Sequence, residues 1–135
     1  MNLDFAFICD YAEAGAKLNA LGIGFDTIFA RQLPVRHLHF SLVLQLRASV
    51  TEAGRKRITV NLIDEDGKDI IPAVQGQFNI ARPEVGAYSI GRFVVEFGNV
   101  EFQHYGSYSM HINIEDSEIT SIPFRVTVPP DNKAV

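Results

Sequence analysis

Apolar and polar residues alternate along much of the chain, most clearly over residues 36–49. Neighbouring side chains of a strand point to opposite faces, so a period of two predicts a β-strand in this segment. The face that we expect to point toward the core consists of Leu38, Phe40, Leu42, Leu44 and Leu46. The opposite, more polar face begins with His37 and His39 and includes Val43.

A hairpin is predicted next to this strand. Residues 58–62 alternate in the same way, and a return run follows over residues 68–78. The Asp66-Gly67 pair between the two runs predicts a type I′ turn, which needs a positive φ at both central positions.

Three further strands are predicted in the second half of the chain. Residues 88–97 form one run, which we expect to end at a Gly98-Asn99 turn. Residues 105–114 and 119–128 are predicted to form a final hairpin. One face of its first strand consists of Tyr108, Met110, Ile112 and Ile114. The Gly106-x-Tyr108 sequence resembles a tyrosine corner, so we expect the Tyr108 phenol to bond an earlier backbone group.

The apolar N-terminal segment is interpreted as structural rather than as a targeting signal. A signal peptide needs a basic start, an apolar run of 7–15 residues and a small-residue cleavage site, and Asp4 precedes an apolar run of only five residues, 5–9. We expect three short strands here, over residues 3–11, 17–22 and 24–29, with a loop at 12–16.

Strands joined by short turns, without intervening helical patterns, predict an antiparallel arrangement and not β-α-β units. We therefore expect an all-β protein: a single antiparallel β-sandwich of about 8–9 strands. The domain is predicted to span residues 1–128. Pro129 and Pro130 end the last strand, so 129–135 is expected to be a short, frayed C-terminal tail.

Composition supports a globular chain and restricts its partners. Hydrophobic residues make up 47% of the 135 residues and charged residues 21%, which is typical of a packed domain. The net charge of -4 disfavours a phosphate-binding surface, so nucleic acid is not expected as a partner. No run is long enough to span a bilayer, so no membrane contact is expected. A single cysteine fits a cytoplasmic location.

Several segments together resemble a family of small bacterial proteins of unknown function. The resemblance is carried by Leu3-Asp4-Phe5-Ala6, Cys9-Asp10-Tyr11-Ala12, Lys17-Leu18-Asn19-Ala20-Leu21-Gly22, Phe25-Asp26-x-Ile28, Leu33-Pro34-Val35-Arg36-His37, Gly106-x-Tyr108 and Ile122-Pro123-Phe124-Arg125-Val126. It implies an immunoglobulin-like Greek key fold and no established active site.

The residue patterns give only weak evidence for a metal or catalytic site. His37-x-His39 has a spacing that metal sites on β-sheets use, and His104 or His111 would be the third ligand. The favoured interpretation is that the two histidines face solvent. Cys9 is interpreted as a small core residue, not a nucleophile. We expect no bound metal, because the histidine spacing alone is weak evidence and no carboxylate follows at the spacing of a cupin-like metal motif. We expect no cofactor, because no phosphate-binding or dinucleotide loop is present.

Two classes of function remain. The first is a non-catalytic interaction module that binds another protein or self-associates through a sheet face or edge. Its predicted surface is an aromatic patch of Tyr88, Phe102 and Tyr105. The alternative is a small metal-dependent or ligand-binding enzyme that uses His37 and His39.

Overall fold

The structure is a computed structural model that describes residues 1–130. Residues 131–135 of the predicted tail lie outside the described residues. Residues 1–130 contain ten strands, one short 3-10 helix (Val50–Glu52) and no α-helix, which confirms the all-β prediction. The strands are β1 (Asn2–Cys9), β2 (Tyr11–Ala14), β3 (Leu18–Leu21), β4 (Thr27–Phe29), β5 (Val35–Ser49), β6 (Gly54–Asp64), β7 (Val74–Ile80), β8 (Tyr88–Phe102), β9 (Gly106–Ile114) and β10 (Ser117–Thr127).

The strands form two sheets and a separate hairpin. The small sheet has the order β1-β5-β8, and all its pairs are antiparallel. The large sheet has the order β4-β10-β9-β6-β7 and is antiparallel except for the parallel pair of β4 and β10. The hairpin consists of β2 and β3. Antiparallel sheets therefore dominate, as the turn pattern predicts.

The inner faces of the two sheets share one hydrophobic core. From the small sheet, β5 contributes Phe40, Leu42, Leu44 and Leu46, which confirms most of the predicted face. From the large sheet, β9 contributes its whole predicted face: Tyr108, Met110, Ile112 and Ile114. The alternation of the sequence therefore places both strands correctly against the core.

The prediction for Leu38 is wrong, because this side chain is 73% exposed. Its position in β5 lies between the pairs His37↔Val100 and His39↔Gly98, opposite Asn99. Asn99 has a φ of 55°, a left-handed backbone that interrupts the regular pleat of β8. The alternation of inward and outward side chains fails at that point.

The predicted turn at Gly98 and Asn99 is also absent. Strand β8 continues through both residues to Phe102 and stays paired with β5 along its length. Asparagine tolerates positive φ better than most residues. The strand therefore accommodates Asn99 as an irregularity instead of ending there.

The loop predicted at residues 12–16 is partly a strand. Residues of β2 pair with β3, and this hairpin lies over the outer face of the small sheet. Ala12 packs there against Cys9 and Val43, and all three are buried. The hairpin explains why Val43 is buried although it lies on the face predicted to be polar: β5 is covered on both sides.

The turns differ from expectation at Asp66-Gly67. Only Gly67 has a positive φ, of 80°, so the predicted type I′ turn does not form. The Asp64 carboxylate instead accepts hydrogen bonds from the backbone N–H groups of Asp66 and Lys68, each at 2.9 Å. Positive φ at both central positions occurs between β9 and β10, at Glu115 (50°) and Asp116 (69°).

The expected hydrogen bond of Tyr108 is confirmed. Its phenol oxygen donates to the carbonyl oxygen of His104 at 2.7 Å, four residues earlier. Burial raises the pKa of this phenol above its ordinary value. The bond ties the start of β9 to the connection that leads into it.

Within residues 1–130, no helix has the length and apolar character needed to cross a membrane.

Candidate functional site

The two histidines of the predicted metal site make different contacts. Nδ1 of His39 lies 2.9 Å from the carbonyl oxygen of Asp10, so this nitrogen carries the proton and donates. The His37 ring instead packs near the rings of Phe25 and Phe40, with centroids 5.8 and 5.7 Å away. Burial lowers the pKa of His37 below its ordinary value. His37 is thus partly a packing residue.

The structure does not bring a third ligand to this pair. Residues 1–130 contain no group of three or more His, Cys, Asp or Glu side chains placed to hold a metal ion. His111 lies on β9, where its Nε2 is 2.8 Å from Ser109 Oγ and its Nδ1 contacts Glu118. His111 is therefore engaged within the large sheet.

The environment of His37 predicts a pH dependence of stability. Unfolded histidine takes up a proton near pH 6.5, whereas folded His37 does so only at lower pH. Between about pH 7 and pH 5 the unfolded state therefore binds more protons, and stability falls as pH falls. We expect His37→Phe, which keeps a ring against Phe25 and Phe40, to weaken this dependence. Urea denaturation of both proteins at several pH values checks it; identical slopes would contradict the assignment.

Cys9 is fully buried beneath the hairpin, as the core interpretation predicts. Its Sγ donates to the carbonyl oxygen of Tyr11 at 3.5 Å. Burial, with the nearby charge of Asp10, raises the pKa of the thiol. A nucleophilic cysteine needs the opposite shift and access to solvent.

Ser109, His111 and Glu118 form a hydrogen-bonded series that the sequence analysis did not single out. Their order of contacts is that of a nucleophile, a base and an orienting carboxylate. Acyl transfer also needs N–H donors for the oxyanion. β9 is a central strand whose backbone pairs with β6 and β10, so its N–H groups are used in the sheet. The series therefore lacks a necessary part of a catalytic site.

The predicted aromatic patch does not form. Tyr88 is 57% exposed, but Phe102 is fully buried in the core. These two residues lie at opposite ends of β8, a strand of 15 residues and roughly 45 Å in length. Tyr105 donates from its phenol to the Ala30 carbonyl at 2.8 Å, near the Phe102 end. Sequence alone did not show that the strand continues between the aromatic residues.

The strongest candidate for a binding site is the edge of β8. One side of this strand pairs with β5, and no other strand of residues 1–130 pairs with the opposite side. Strand β7 is likewise the end strand of the large sheet. The rings of Phe78 on β7 and Phe93 on β8 touch, with centroids 4.4 Å apart. The unpaired edges of the two sheets therefore lie next to each other.

A cleft of about 260 Å³ lies between these two edges, and we refer to it as the edge cleft. Its lining combines seven apolar side chains with a few polar residues and one glycine: Leu46, Ala48, Phe78, Ile80, Ala81, Ile90 and Phe93, with Asn79, Ser89, Gly91 and Arg92. Gly91 on β8 pairs with Leu46 on β5, and both residues line the edge cleft. Because glycine has no side chain, this position of β8 contributes only backbone to the lining. A Cβ atom at Gly91 would lie 3.3 Å from the Phe93 ring. The volume is just below the range of about 300–1,000 Å³ that is typical of small-molecule sites, so it suits a single side chain.

A polar series on the outer face of the small sheet holds Arg92 beside the cleft. Arg92 Nε donates to Gln45 Oε1 at 2.9 Å, and Gln45 Nε2 donates to Asp4 at 2.8 Å. Asp4 also accepts from Arg47 Nε at 2.8 Å, and β1 is irregular at this residue. The bond from Gln45, and after it the contacts of Arg47, hold the pKa of Asp4 below its ordinary value. Arg92 is thus positioned by fixed partners.

The sequence of residues 4–127 matches the model of a family of unknown function, DUF6941. The chain belongs to this family. The match confirms the resemblance to an uncharacterised family that the sequence motifs indicate. No curated protein matches the chain.

Among the solved structures that are similar to part of the fold is Pseudomonas fluorescens alkylpurine DNA glycosylase AlkC bound to DNA containing an abasic site analogue. The similarity has a TM-score of 0.43 and 12% sequence identity, and it covers 76% of this chain. The chain spans only 28% of the length of that protein. A likeness of this size assigns no activity to the chain.

The exclusion of nucleic acid as a partner is withdrawn, because net charge alone does not support it. The exclusion rested on the net charge of -4, which sums over the whole surface. A single face can differ in sign from the whole: Arg55 and Arg57, two residues apart in β6, lie on the same exposed side of the strand. Nucleic acid therefore belongs among the ligands that a binding experiment includes.

Proposed function

We propose that the protein is a non-catalytic interaction module that binds an extended segment of a partner protein along the free edge of β8. The observation that carries this proposal is the edge cleft, an apolar space of about 260 Å³ directly beside an edge strand. An exposed strand edge offers unpaired N–H and C=O groups to another chain. Binding by strand addition needs a free strand edge and a pocket for a side chain of the added strand, and β8 and the edge cleft provide them.

Each part has a separate role. Main-chain hydrogen bonds to the edge supply affinity, and pockets for alternate side chains supply specificity. A partner residue opposite Gly91 would point toward the inner face and enter the edge cleft. Burying one large apolar side chain there is worth about 1.5–3 kcal/mol. An aromatic residue fits best, since aromatic side chains across from an edge glycine cover its exposed backbone.

The strand order supports a finer proposal for the fold, an immunoglobulin-like Greek key sandwich. Orders β1-β5-β8 and β4-β10-β9-β6-β7, together with the Tyr108 bond to His104, are typical of that architecture. In the constant type of immunoglobulin domain, a fourth strand lies beside the strand equivalent to β8. A partner strand would occupy that position here.

We also propose that the protein works in the cytoplasm of a bacterium. The single cysteine, Cys9, is a buried free thiol, which suits a reducing compartment. The bacterial origin follows from the resemblance of the sequence motifs.

The metal-dependent alternative has less support from the geometry. Its two histidines are already engaged, since His39 donates to Asp10 and His37 packs against Phe25 and Phe40.

Substitution of Gly91 tests the proposed function. We expect Gly91→Val to fill the edge cleft and to weaken the binding of an aromatic strand peptide of about eight residues by tenfold or more. Gly91 has no positive φ, and a Cβ atom there lies 3.3 Å from the Phe93 ring, so the variant is expected to fold with a shift of that ring by a few tenths of an ångström. Fluorescence anisotropy with labelled alternating peptides measures the change.

The matched control is Gly76→Val. Gly76 lies on the edge strand β7, and a Cβ atom there meets only Ile58 at an ordinary 3.6 Å. This variant is expected to bind as the wild type does. Equal binding by Gly91→Val and the wild type, or no binding of any strand peptide by the wild type, would contradict the proposal. Solution mass measured in parallel shows whether a second copy occupies the edge.

A further inference from the structure

We infer that the partner segment contains an aromatic residue next to a glutamate or aspartate, with the aromatic ring in the edge cleft and the carboxylate on Arg92. This inference rests on the proposed function and names the chemistry of its partner. It follows from the neighbouring positions of Gly91 and Arg92 in one edge strand.

The two residues face opposite sides of β8. Gly91 lies on the inner side, where it borders the edge cleft with Leu46 and Phe93. Arg92 pairs with Gln45 and lies on the outer side, where its side chain is exposed. Consecutive residues of an added strand also alternate between the two sides. A residue that enters the cleft therefore has a neighbour that lies beside Arg92.

The charge of Arg92 selects the type of that neighbour. Its guanidinium donates to Gln45 and to the carbonyl oxygen of Ala16 at 3.2 Å, both of which are neutral acceptors. Within the described part of the chain, Arg92 takes part in no ion pair, whereas Arg47 on the same face has Asp4. A guanidinium has five N–H donors, so groups remain to bind a carboxylate.

Arg92 is also held ready for such a contact. The bond between Arg92 Nε and Gln45, and the bond between Gln45 and Asp4, hold the guanidinium on the β5 side of the strand, so a partner carboxylate would reach the N–H groups that these bonds leave unused. A preorganised arginine loses less conformational entropy on binding than a mobile one. Opposite charges directly across a strand pair are favourable and like charges are unfavourable.

Three labelled peptides of about eight residues test the inference; they share an alternating Thr-Val background and carry Phe-Glu, Phe-Lys or Ala-Glu at the centre. By fluorescence anisotropy at low salt, we expect wild type to bind Phe-Glu about fivefold more tightly than Phe-Lys. The Arg92→Glu variant is expected to reverse this order. Arg31→Glu, which makes the same charge change at an exposed loop residue, is expected to preserve it.

The outcomes separate the two proposals. Equal affinity for Phe-Glu and Phe-Lys, with no effect of Arg92→Glu, would overturn the acidic partner while leaving strand addition in place. No binding of any peptide, or binding that Gly91→Val does not change, would overturn strand addition itself. A single-stranded DNA oligonucleotide is titrated in the same way. Tighter binding of DNA than of Phe-Glu, lost in Arg92→Glu, would show that Arg92 serves a phosphate ligand and would overturn the inference.

Discussion

Phe102→Ala is expected to lower the free energy of unfolding by about 3–5 kcal/mol, the usual cost of removing a buried aromatic side chain. Phe102 is fully buried, and its ring packs edge-on against the stacked rings of Tyr108 and Phe124, with centroids 5.0 and 5.8 Å away. The cavity left by the substitution would border both neighbours. Since the chain lacks tryptophan, urea denaturation followed by far-ultraviolet circular dichroism measures the change.

The control for this prediction is Tyr88→Ala, at the other end of the same strand. Tyr88 is 57% exposed, so its removal is expected to cost less than about 1 kcal/mol. Equal losses in the two variants would contradict the placement of Phe102 in the core and of Tyr88 at the surface.

Tyr108→Phe is expected to lower the free energy of unfolding by about 1–3 kcal/mol, although it removes a single oxygen atom. The phenol donates to the His104 carbonyl at 2.7 Å, and the Tyr108 side chain is buried. Without this donor, the His104 carbonyl would lose its partner next to a ring that is only 4% exposed. The same denaturation experiment measures the loss.

Tyr105→Phe provides the matched comparison. Its phenol also donates to a backbone carbonyl, that of Ala30 at 2.8 Å, but the residue is 37% exposed. Water can replace this donor, so we expect a loss below about 1 kcal/mol. If Tyr105→Phe cost as much as Tyr108→Phe, the special role of the Tyr108 bond would be refuted.

Local alternation predicted the strands that are covered on one face only. In β9, Tyr108, Met110, Ile112 and Ile114 are all buried against the core, whereas Ser109, His111 and Asn113 on the other face are half-buried. In β5, alternation failed at Val43 because the hairpin of β2 and β3 packs on the outer face. That contact joins segments distant in sequence, and a local pattern carries no information about it.

Turn chemistry was similarly limited. The Asp66-Gly67 pair predicted a type I′ turn, yet the Asp64 carboxylate organises that connection through two backbone N–H groups. The turn with two positive φ values is built by Glu115 and Asp116 instead. Arg57 donates to both carboxylates, at 3.3 and 3.0 Å, and this contact from β6 helps to hold the tight connection.

The candidate site depended on strand order, which the sequence did not predict. Gly91 is visible in the sequence as a glycine inside a strand pattern, between Ile90 and Arg92, a signal for close packing or a ligand approach. Gly91 can border a binding cleft only because β8 is an edge strand that lies beside β7, and the local sequence pattern does not show this. The predicted patch failed for the same reason, since Tyr88 and Phe102 belong to one long strand.

Amide hydrogen exchange of the wild-type protein with and without the Phe-Glu peptide tests strand addition at β8. We expect slower exchange at backbone amides of residues 88–95 when the peptide is present, and no such change in Gly91→Val. Protection that appears instead on the hairpin of β2 and β3 or on the outer face of the large sheet, with β8 unchanged, would contradict it.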